Sequence, residues 1–306
     1  MSLRRTVFPA AVMVCCLMAI RTASAAVPRP ADIIGFEPGA DYRLLTSEQI
    51  VRYFRALDEA SDRMIVEEIG TTALGRPIIM ALISSPENIG RLGEIKSINK
   101  RLALAKGLSD GEAAKLSQEG VATVWIDGGL HGMELGGSHL MPALAYWLVT
   151  DESPEAQRIR ANVLLLLNPN MNPDGLDIVS SWYSKHVGTA FETASIPEAA
   201  HAYVGNDINR DWYMFTQAEA KAAADVFYHE WFPQIIFNQH QGGPFPSREW
   251  VPPAADPLNP NLDPLMVAAF RHLGGFQLAR FMKEGKPGVA TGVYYRVVWT
   301  AAFMHA

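Results

Sequence analysis

Three polar side chains of this sequence have the types and spacing that could hold a metal ion. His131 and Glu134 form a His-x-x-Glu motif inside a glycine-containing segment, and His240 lies much further along the chain. Imidazole nitrogens and carboxylate oxygens are good zinc ligands, and glycines let the backbone bend close to a ligand. With eight histidines in the chain, a His-x-x-Glu motif also arises by chance. Its meaning therefore depends on the segments around it.

A second group of polar residues could bind an anion. Asn209 and Arg210 place an amide donor beside a guanidinium, which can bind a carboxylate through two parallel hydrogen bonds. Asp207, two residues earlier, could accept the far N–H of a metal-bound histidine. The alternative for this segment is a helix N-terminus held by surface ion pairs.

The elements that must position these residues are apolar strands alternating with helices. Strands are predicted at residues 121–127, 162–167 and 234–238, and helices at residues 138–149, 216–231 and 265–282. Strands that are apolar throughout indicate burial on both faces and a mostly parallel sheet. Ligands of such sheets bind at the carboxyl ends of the strands. His131, the turn at residues 168–175 and His240 all follow strand ends.

The earlier part of the chain predicts a helix at residues 47–62, with Ser47 as its N-cap, and a hairpin of strands at 64–69 and 77–83. Residues 92–116 are typical of a helix that breaks near 107–110. The fold class is therefore α/β, with a mixed, mostly parallel central sheet flanked by helices. We expect one domain over residues 44–306, preceded by a lead segment at 27–43.

The first 26 residues have the pattern of a secretory signal peptide. Arg4 and Arg5 precede an apolar stretch at residues 6–20, and Ala-Ser-Ala at 23–25 is typical of a cleavage site. The stretch is shorter than the roughly 20 residues that a membrane-spanning helix needs. We expect an exported protein, periplasmic or extracellular, without a stable membrane anchor after cleavage.

Composition excludes several function classes. Both cysteines of the chain, Cys15 and Cys16, lie in the predicted signal peptide, so cysteine ligands, a cysteine nucleophile and redox chemistry are excluded from the mature protein. The formal net charge is −6 and no basic stripe is present, so the sequence gives no indication of nucleic-acid binding.

Four motifs together resemble the zinc carboxypeptidase family, the M14 metallopeptidases. They are Trp-Ile-Asp-Gly-Gly-Leu-His-Gly-Met-Glu at 125–134, Asn-Pro-Asp-Gly at 172–175, Asp-Ile-Asn-Arg-Asp-Trp at 207–212, and His240. The similarity extends from about residue 44 to the end. It implies one zinc ion bound by His131, Glu134 and His240, with Asp207 orienting His131.

The resemblance also implies substrate-binding residues. Asn209 and Arg210 would grip the terminal carboxylate of a peptide. The family has a second arginine after the Asn-Pro-Asp-Gly turn, where this chain offers Lys185 instead. The family's mobile tyrosine would correspond to Tyr294 or Tyr295, and we take Tyr295 as the candidate.

The general base of the family is a glutamate on a late strand, and no glutamate here has that placement. After His240 the chain has only Glu249 and Glu284. We therefore expect the base to lie beyond Ala306, in a truncated frame or fragment, and expect little peptidase activity from the 306 residues alone, since a general base contributes roughly 10²–10⁴-fold.

Two other functions remain open. A zinc deacylase of the aspartoacylase or succinylglutamate desuccinylase kind shares the His-x-x-Glu and distant histidine arrangement. A zinc- and carboxylate-binding module without catalysis would fit the missing base. For an exported peptidase we expect a peptide or a peptidoglycan peptide as substrate.

Overall fold

A five-stranded mixed sheet forms the centre of the protein. The computed structural model describes residues 26–196, 207–241, 249–255 and 258–292. The strands of the sheet are β1 (Met64–Thr71), β2 (Pro77–Ile83), β3 (Ala122–Asp127), β4 (Val163–Asn168) and β5 (Ile235–Asn238). Their spatial order is β1-β2-β4-β3-β5. The predicted signal peptide lies, apart from Ala26, outside the described residues.

The sheet is antiparallel on one side and parallel on the other. β1 pairs antiparallel with β2, and β2 pairs antiparallel with β4. β3 pairs parallel with both β4 and β5, and Asp127 is level with Asn168 on one side and Asn238 on the other. The predicted α/β fold with a mixed sheet is confirmed, and the parallel part carries the strand ends from which the site was predicted.

Helices cover the sheet. They are α1 (Pro30–Ile34), α2 (Ser47–Ala60), α3 (Pro86–Ile89), α4 (Leu92–Leu104), α5 (Asp110–Glu119), α6 (Leu135–Thr150), α7 (Pro154–Asn162), α8 (Pro173–His186), α9 (Ala218–Asp225) and α10 (Pro264–Lys283). β6 (Glu249–Trp250) and β7 (Val289–Ala290) form a separate two-stranded parallel sheet. No helix in the described ranges is long and apolar enough to cross a membrane.

Both faces of the sheet are buried, which explains why its inner strands are apolar throughout. Ile79 and Ala81 of β2 pack with α2 and α6 on one face, whereas Met80 and Leu82 pack on the other face. Trp125 of β3 is fully buried in the second cluster. Alternate residues of one strand therefore serve two cores.

Three local predictions differ from the structure. The N-cap of α2 is Thr46, which forms a capping box with Gln49, rather than Ser47. The helix predicted over 216–231 is α9 followed by a wider π-helical turn at Val226–Glu230. The turn predicted at 168–175 is in its second half the start of α8, because Asn172 caps that helix by accepting from the N–H of Gly175.

Candidate metal centre

Two loops at the carboxyl edge of the parallel strands bring the three predicted ligands together. His131 and Glu134 follow β3, and His240 follows β5. One candidate ligand atom from each of the three residues lies within 4.8 Å of the other two. A backbone hydrogen bond of 3.0 Å from the N–H of Glu134 to the carbonyl of His131 closes the first loop into a turn. The turn presents both side chains to one point.

The carboxylate of Glu134 lies between the two imidazoles. Its Oε1 is 2.8 Å from Nδ1 of His131, and its Oε2 is 2.9 Å from Nδ1 of His240. Two imidazole nitrogens and one carboxylate oxygen are a donor set that fits zinc. Three protein ligands leave a fourth position for water, which is typical of catalytic rather than structural zinc sites.

Asp207 contacts the far side of the His131 ring. Its Oδ1 is 2.9 Å from Nε2 of His131 and also accepts the N–H of Asn209. An acceptor at Nε2 places the imidazole proton there and leaves Nδ1 free to bind a cation. The structure thus brings Asp207 against His131, and its role in orienting a metal-bound histidine stays a prediction.

The charges of the cluster stabilise one another in the metal-free protein. Burial raises the pKa of Glu134, but hydrogen bonds and attraction from His131 and His240 outweigh it and bring that pKa to about 2. Burial would lower the pKa of His131, yet its bonds to Asp207 and Glu134 raise it to about 9. The pKa of Asp207 falls to about 2, because its bond to His131 outweighs burial. Without metal, the cluster is therefore a cation between two anions.

The Asn-Pro-Asp-Gly segment packs against the His-x-x-Glu loop. Nδ2 of Asn172 donates to the carbonyl of Leu130 at 3.0 Å. A Cβ on Gly132 would lie 2.6 Å from the carbonyl of Gly175, so the two segments are in backbone contact and this position requires glycine. The segment after β4 therefore fixes the position of the loop that carries His131.

The start of α8 is itself anchored to the turn between β1 and β2. Asp174 is fully buried and accepts from the hydroxyl of Thr72 and from Nη1 of Arg76, each at 2.8 Å. Arg76 also donates through Nε to Asp177, and Asp177 accepts from the backbone and hydroxyl of Ser47. These ion pairs and hydrogen bonds join the β1–β2 hairpin, α2 and the start of α8.

Asp127, at the end of β3, links the two ligand-bearing strands. Oδ1 of this fully buried residue accepts from Nδ2 of Asn238 at 2.7 Å and from the N–H of Gly129 at 2.9 Å. Oδ2 accepts from Nε1 of Trp125 at 2.9 Å. Burial outweighs these bonds and raises the pKa of Asp127 to about 6.

The predicted carboxylate-binding residues lie beside Asp207, in a 3-10 turn at Ile208–Arg210. Asn209 is buried, and the side chain of Arg210 is partly exposed, with its Nη1 3.9 Å from Oδ2 of Asp207 and 3.0 Å from the carbonyl of Asn209. Through Asp207, these contacts place the guanidinium of Arg210 near His131, one of the proposed metal ligands.

The other predicted residues are not part of this contact network. Lys185 is exposed near the end of α8, and no hydrogen bond or ion pair joins it to the described cluster. Tyr294 and Tyr295 lie outside the described residues. Glu249 is exposed on β6, and Glu284 pairs with Arg280, so neither touches the histidines within the described part of the chain.

Asp127 and Asn172 were not predicted as site residues, although both stand in the motifs at 125–134 and 172–175. The sequence pattern that could have identified them is a polar residue at the end, or just past the end, of a strand that is otherwise apolar. A buried polar side chain there needs partners, and those partners are the loops that carry the ligands.

Comparison with known proteins identifies the family of the chain. The family model for zinc carboxypeptidase, Peptidase_M14, matches residues 50–254, which is more than half of the chain. No curated protein matches the chain.

Solved structures share the fold. A metallo-carboxypeptidase from Burkholderia cenocepacia superposes with a TM-score of 0.52 and 19% identity, over 84% of this chain and 55% of that one. Carboxypeptidase A from Helicoverpa armigera gives 0.56 and 15%, over 89% and 65%. Bovine thrombin-activatable fibrinolysis inhibitor, solved in complex with tick carboxypeptidase inhibitor, gives 0.50 and 12%, over 85% and 80%. The chain therefore spans between about half and two-thirds of the length of the first two.

Proposed function

Because the chain belongs to the zinc carboxypeptidase family, we propose that it is a zinc-dependent metallocarboxypeptidase that hydrolyses peptide bonds at substrate carboxyl termini. The observation that carries this proposal is the convergence of His131, Glu134 and His240, whose candidate ligand atoms lie within 4.8 Å of one another. We propose that these three residues bind a single zinc ion.

The residues of the chain would prepare the site in three ways. His131 and His240 offer ring nitrogens, His131 after loss of its proton, and Glu134 offers an oxygen that its low pKa keeps ionised. Asp207 holds the His131 ring in the tautomer that leaves Nδ1 available. When bound, zinc would supply a water of lowered pKa, near 7, and polarise the scissile carbonyl.

Asn209 and Arg210 would orient the substrate. A guanidinium carries a charge that does not titrate in the physiological range, and its fork matches the two oxygens of a carboxylate. Contact with Asp207 keeps Arg210 near the metal ligands. We propose that this pair binds the free terminal carboxylate and so selects the last peptide bond.

Binding can test this step without relying on turnover. We expect the zinc-loaded chain to bind a peptide with a free carboxyl terminus more tightly than the same peptide with a terminal amide. Arg210→Ala should abolish the difference, whereas Arg271→Ala, a change of an exposed arginine on helix α10, should preserve it. Equal affinity of the wild-type protein for both peptides would contradict carboxylate recognition.

Turnover assays separate the proposed peptidase from a zinc deacylase. Release of a terminal amino acid from N-acylated dipeptides, abolished by a chelator and restored by zinc, supports the peptidase. Faster deacylation of N-acyl amino acids would favour the deacylase instead. Little turnover is expected where no glutamate has the placement of the general base, so zinc and carboxylate binding without either reaction fits both a peptidase that lacks its base and a module that binds but does not catalyse.

We also propose that the protein is exported and meets peptides or peptidoglycan peptides outside the cytoplasm. Support comes from the charged, apolar and small-residue regions of residues 1–26. Expression in a bacterial host followed by fractionation and mass measurement tests this. A periplasmic product that begins at Ala26 or Val27 is expected, and an uncleaved cytoplasmic product would contradict it.

A further inference from the structure

An open cavity of about 350 Å³ adjoins the proposed metal ligands. Its wall includes Leu135 and Gly136, which directly follow Glu134, and Gln241, which directly follows His240. The N–H of Gln241 donates to Oε2 of Glu134 at 3.1 Å, and its side-chain oxygen accepts from the N–H of Gly136 at 2.9 Å. The cavity therefore begins one residue away from the ligands.

The cavity and Arg210 lie at the two ends of one chain of contacts. Arg210 neighbours Asp207, which contacts Nε2 of His131. His131 contacts Glu134, and Glu134 contacts Gln241 at the cavity. A substrate whose terminal carboxylate is on Arg210 would cross the metal ligands before it reaches the cavity. The cavity would then receive the residues on the amino side of the scissile bond.

The outer wall of the cavity is residues 39–44 of the lead segment. The segment is anchored where it ends, because the N–H of Leu45 donates to Nε2 of His139 at 3.1 Å and the carbonyl of Leu45 accepts from the hydroxyl of Ser180 at 2.6 Å. Burial lowers the pKa of His139, which keeps its ring neutral and able to accept. The wall is thus attached to α6 and α8.

Tyr42 is unusual within this wall. Its φ of 62° is left-handed, a conformation that is costly for a residue with a large side chain, and its side chain is 69% exposed. An exposed, strained aromatic costs stability, and strained residues cluster at active sites and ligand-binding sites. Tyr183 of α8 lines the same cavity, so two tyrosines contribute to its wall.

We propose that this cavity binds the substrate residues on the amino side of the scissile bond and prefers aromatic side chains, with Tyr42 as the residue that determines this preference. The cavity volume is near the lower end of the usual range for small-ligand sites, about 300–1,000 Å³, so it suits a short peptide segment. This inference rests on the proposed peptidase function, because it takes the carboxylate on Arg210 as the other end of the substrate.

Two non-hydrolysable tripeptides test the proposal on the zinc-loaded full chain. In both, the amide before the C-terminal phenylalanine is reduced to a methylene-amine. One carries two phenylalanines before that bond and the other carries two glycines. Titration calorimetry should give a dissociation constant about tenfold lower for the phenylalanine form in the wild-type protein.

Tyr42→Gly is the informative variant, since glycine adopts positive φ without strain and the protein should still fold. We expect the tenfold preference to fall to about threefold or less, with the affinity for free L-phenylalanine unchanged. Tyr42→Phe should retain the preference. Tyr228→Ala, an exposed aromatic in the turn before the amino end of β5, should also retain it.

The proposal would be overturned if Tyr42→Gly kept the tenfold preference for the phenylalanine tripeptide. It would also be overturned if this variant lost as much affinity for free L-phenylalanine as for that tripeptide. Failure of the wild-type protein to bind either tripeptide or L-phenylalanine would contradict the proposed function as well. The two failures are distinguishable, because the first leaves peptide binding intact.

Discussion

At the scale of single residues, the two nitrogens of His131 have separate tasks. Nε2 contacts Asp207 and Nδ1 contacts Glu134. In the variant Asp207→Asn, the amide can also donate, so the tautomer is no longer held. Loss of a carboxylate that orients a metal-bound histidine typically costs 10–100-fold in metal affinity, and we expect zinc to bind Asp207→Asn weaker by about that factor. Competition with a chromogenic chelator measures it.

Asp225→Asn is the matched control for this prediction. Asp225 also faces a histidine, His229, at 4.0 Å, but both side chains are exposed. We expect zinc affinity in this variant to equal that of the wild-type protein. If Asp207→Asn also binds zinc like the wild-type protein, Asp207 does not orient a ligand.

The raised pKa of His131 leads to a second prediction. In the metal-free protein the pKa of His131 is about 9, above the ordinary value of 6.5. Protonated His131 therefore stabilises the folded state fully below pH 6.5, and this stabilisation is lost as pH rises through 9. Zinc needs the neutral ring. Zinc binding at pH 7 should therefore release about one proton from His131, and binding at pH 10 should release fewer.

Calorimetry in buffers of different ionisation enthalpy counts the released protons. His131→Ala binds zinc more weakly and should lose this pH-dependent release, which gives the comparison. Proton release that does not change between pH 7 and pH 10 would be inconsistent with a protonated His131 in the metal-free protein.

At the scale of elements, the strands were predictable because their burial pattern is simple. β2, β4, residues 124–126 of β3 and residues 235–237 of β5 are apolar runs, and the strands appear in the structure within one or two residues of their predicted bounds. The start of α8 was not predicted. Asn172 and Gly175 are turn residues in isolation, but in the structure Asn172 caps the helix, Pro173 occupies its first turn, and Thr72 and Arg76 anchor Asp174.

Asp127 acts at this scale, because it joins the ends of β3 and β5. Its pKa of about 6 lies above the ordinary 3.8, so its contribution to stability is complete below pH 3.8 and is lost as pH rises through 6. Asp127→Asn has no such titration. Between pH 4 and pH 7, we expect the metal-free wild-type protein to lose about 2 kcal/mol relative to this variant.

Urea unfolding of the metal-free proteins at several pH values measures this difference. Thr123→Val is the control on the same strand, since it removes a buried hydrogen bond to Asn99 but no titrating group. Its free energy of unfolding should be lower by a constant amount at every pH. Parallel pH profiles for Asp127→Asn and the wild-type protein would refute the raised pKa.

At the scale of the whole molecule, the sequence predicted which residue types could bind the metal but not that they lie close together in the fold. His131 and His240 converge because β3 and β5 are neighbours in the sheet, although β4 comes between them in the chain. Periodicity and composition contain no information about which strands pair over such distances. Only the similarity to a known family joined the three segments. The polar position of Asp127 at a strand end was visible in the sequence, but the partners that give it a role depend on the β3–β5 pairing.

That topology makes zinc a cross-link between distant parts of the chain. Bound zinc would join the loop after β3 to the loop after β5, an edge strand that pairs with β3 alone among the described strands. A ligand that binds only the folded state stabilises it by about 2.7 kcal/mol at 100 times its dissociation constant. For a domain of this size, we expect the thermal midpoint to rise by roughly 5–10 °C.

Thermal unfolding with and without zinc tests this expectation. His240→Ala removes the ligand after β5 and should abolish the rise, whereas His229→Ala, which removes an exposed histidine before β5, should preserve it. A rise that survives in His240→Ala would mean that zinc stabilises the protein elsewhere. The midpoint thus reports whether the two loops meet at one ion, independently of any catalytic activity.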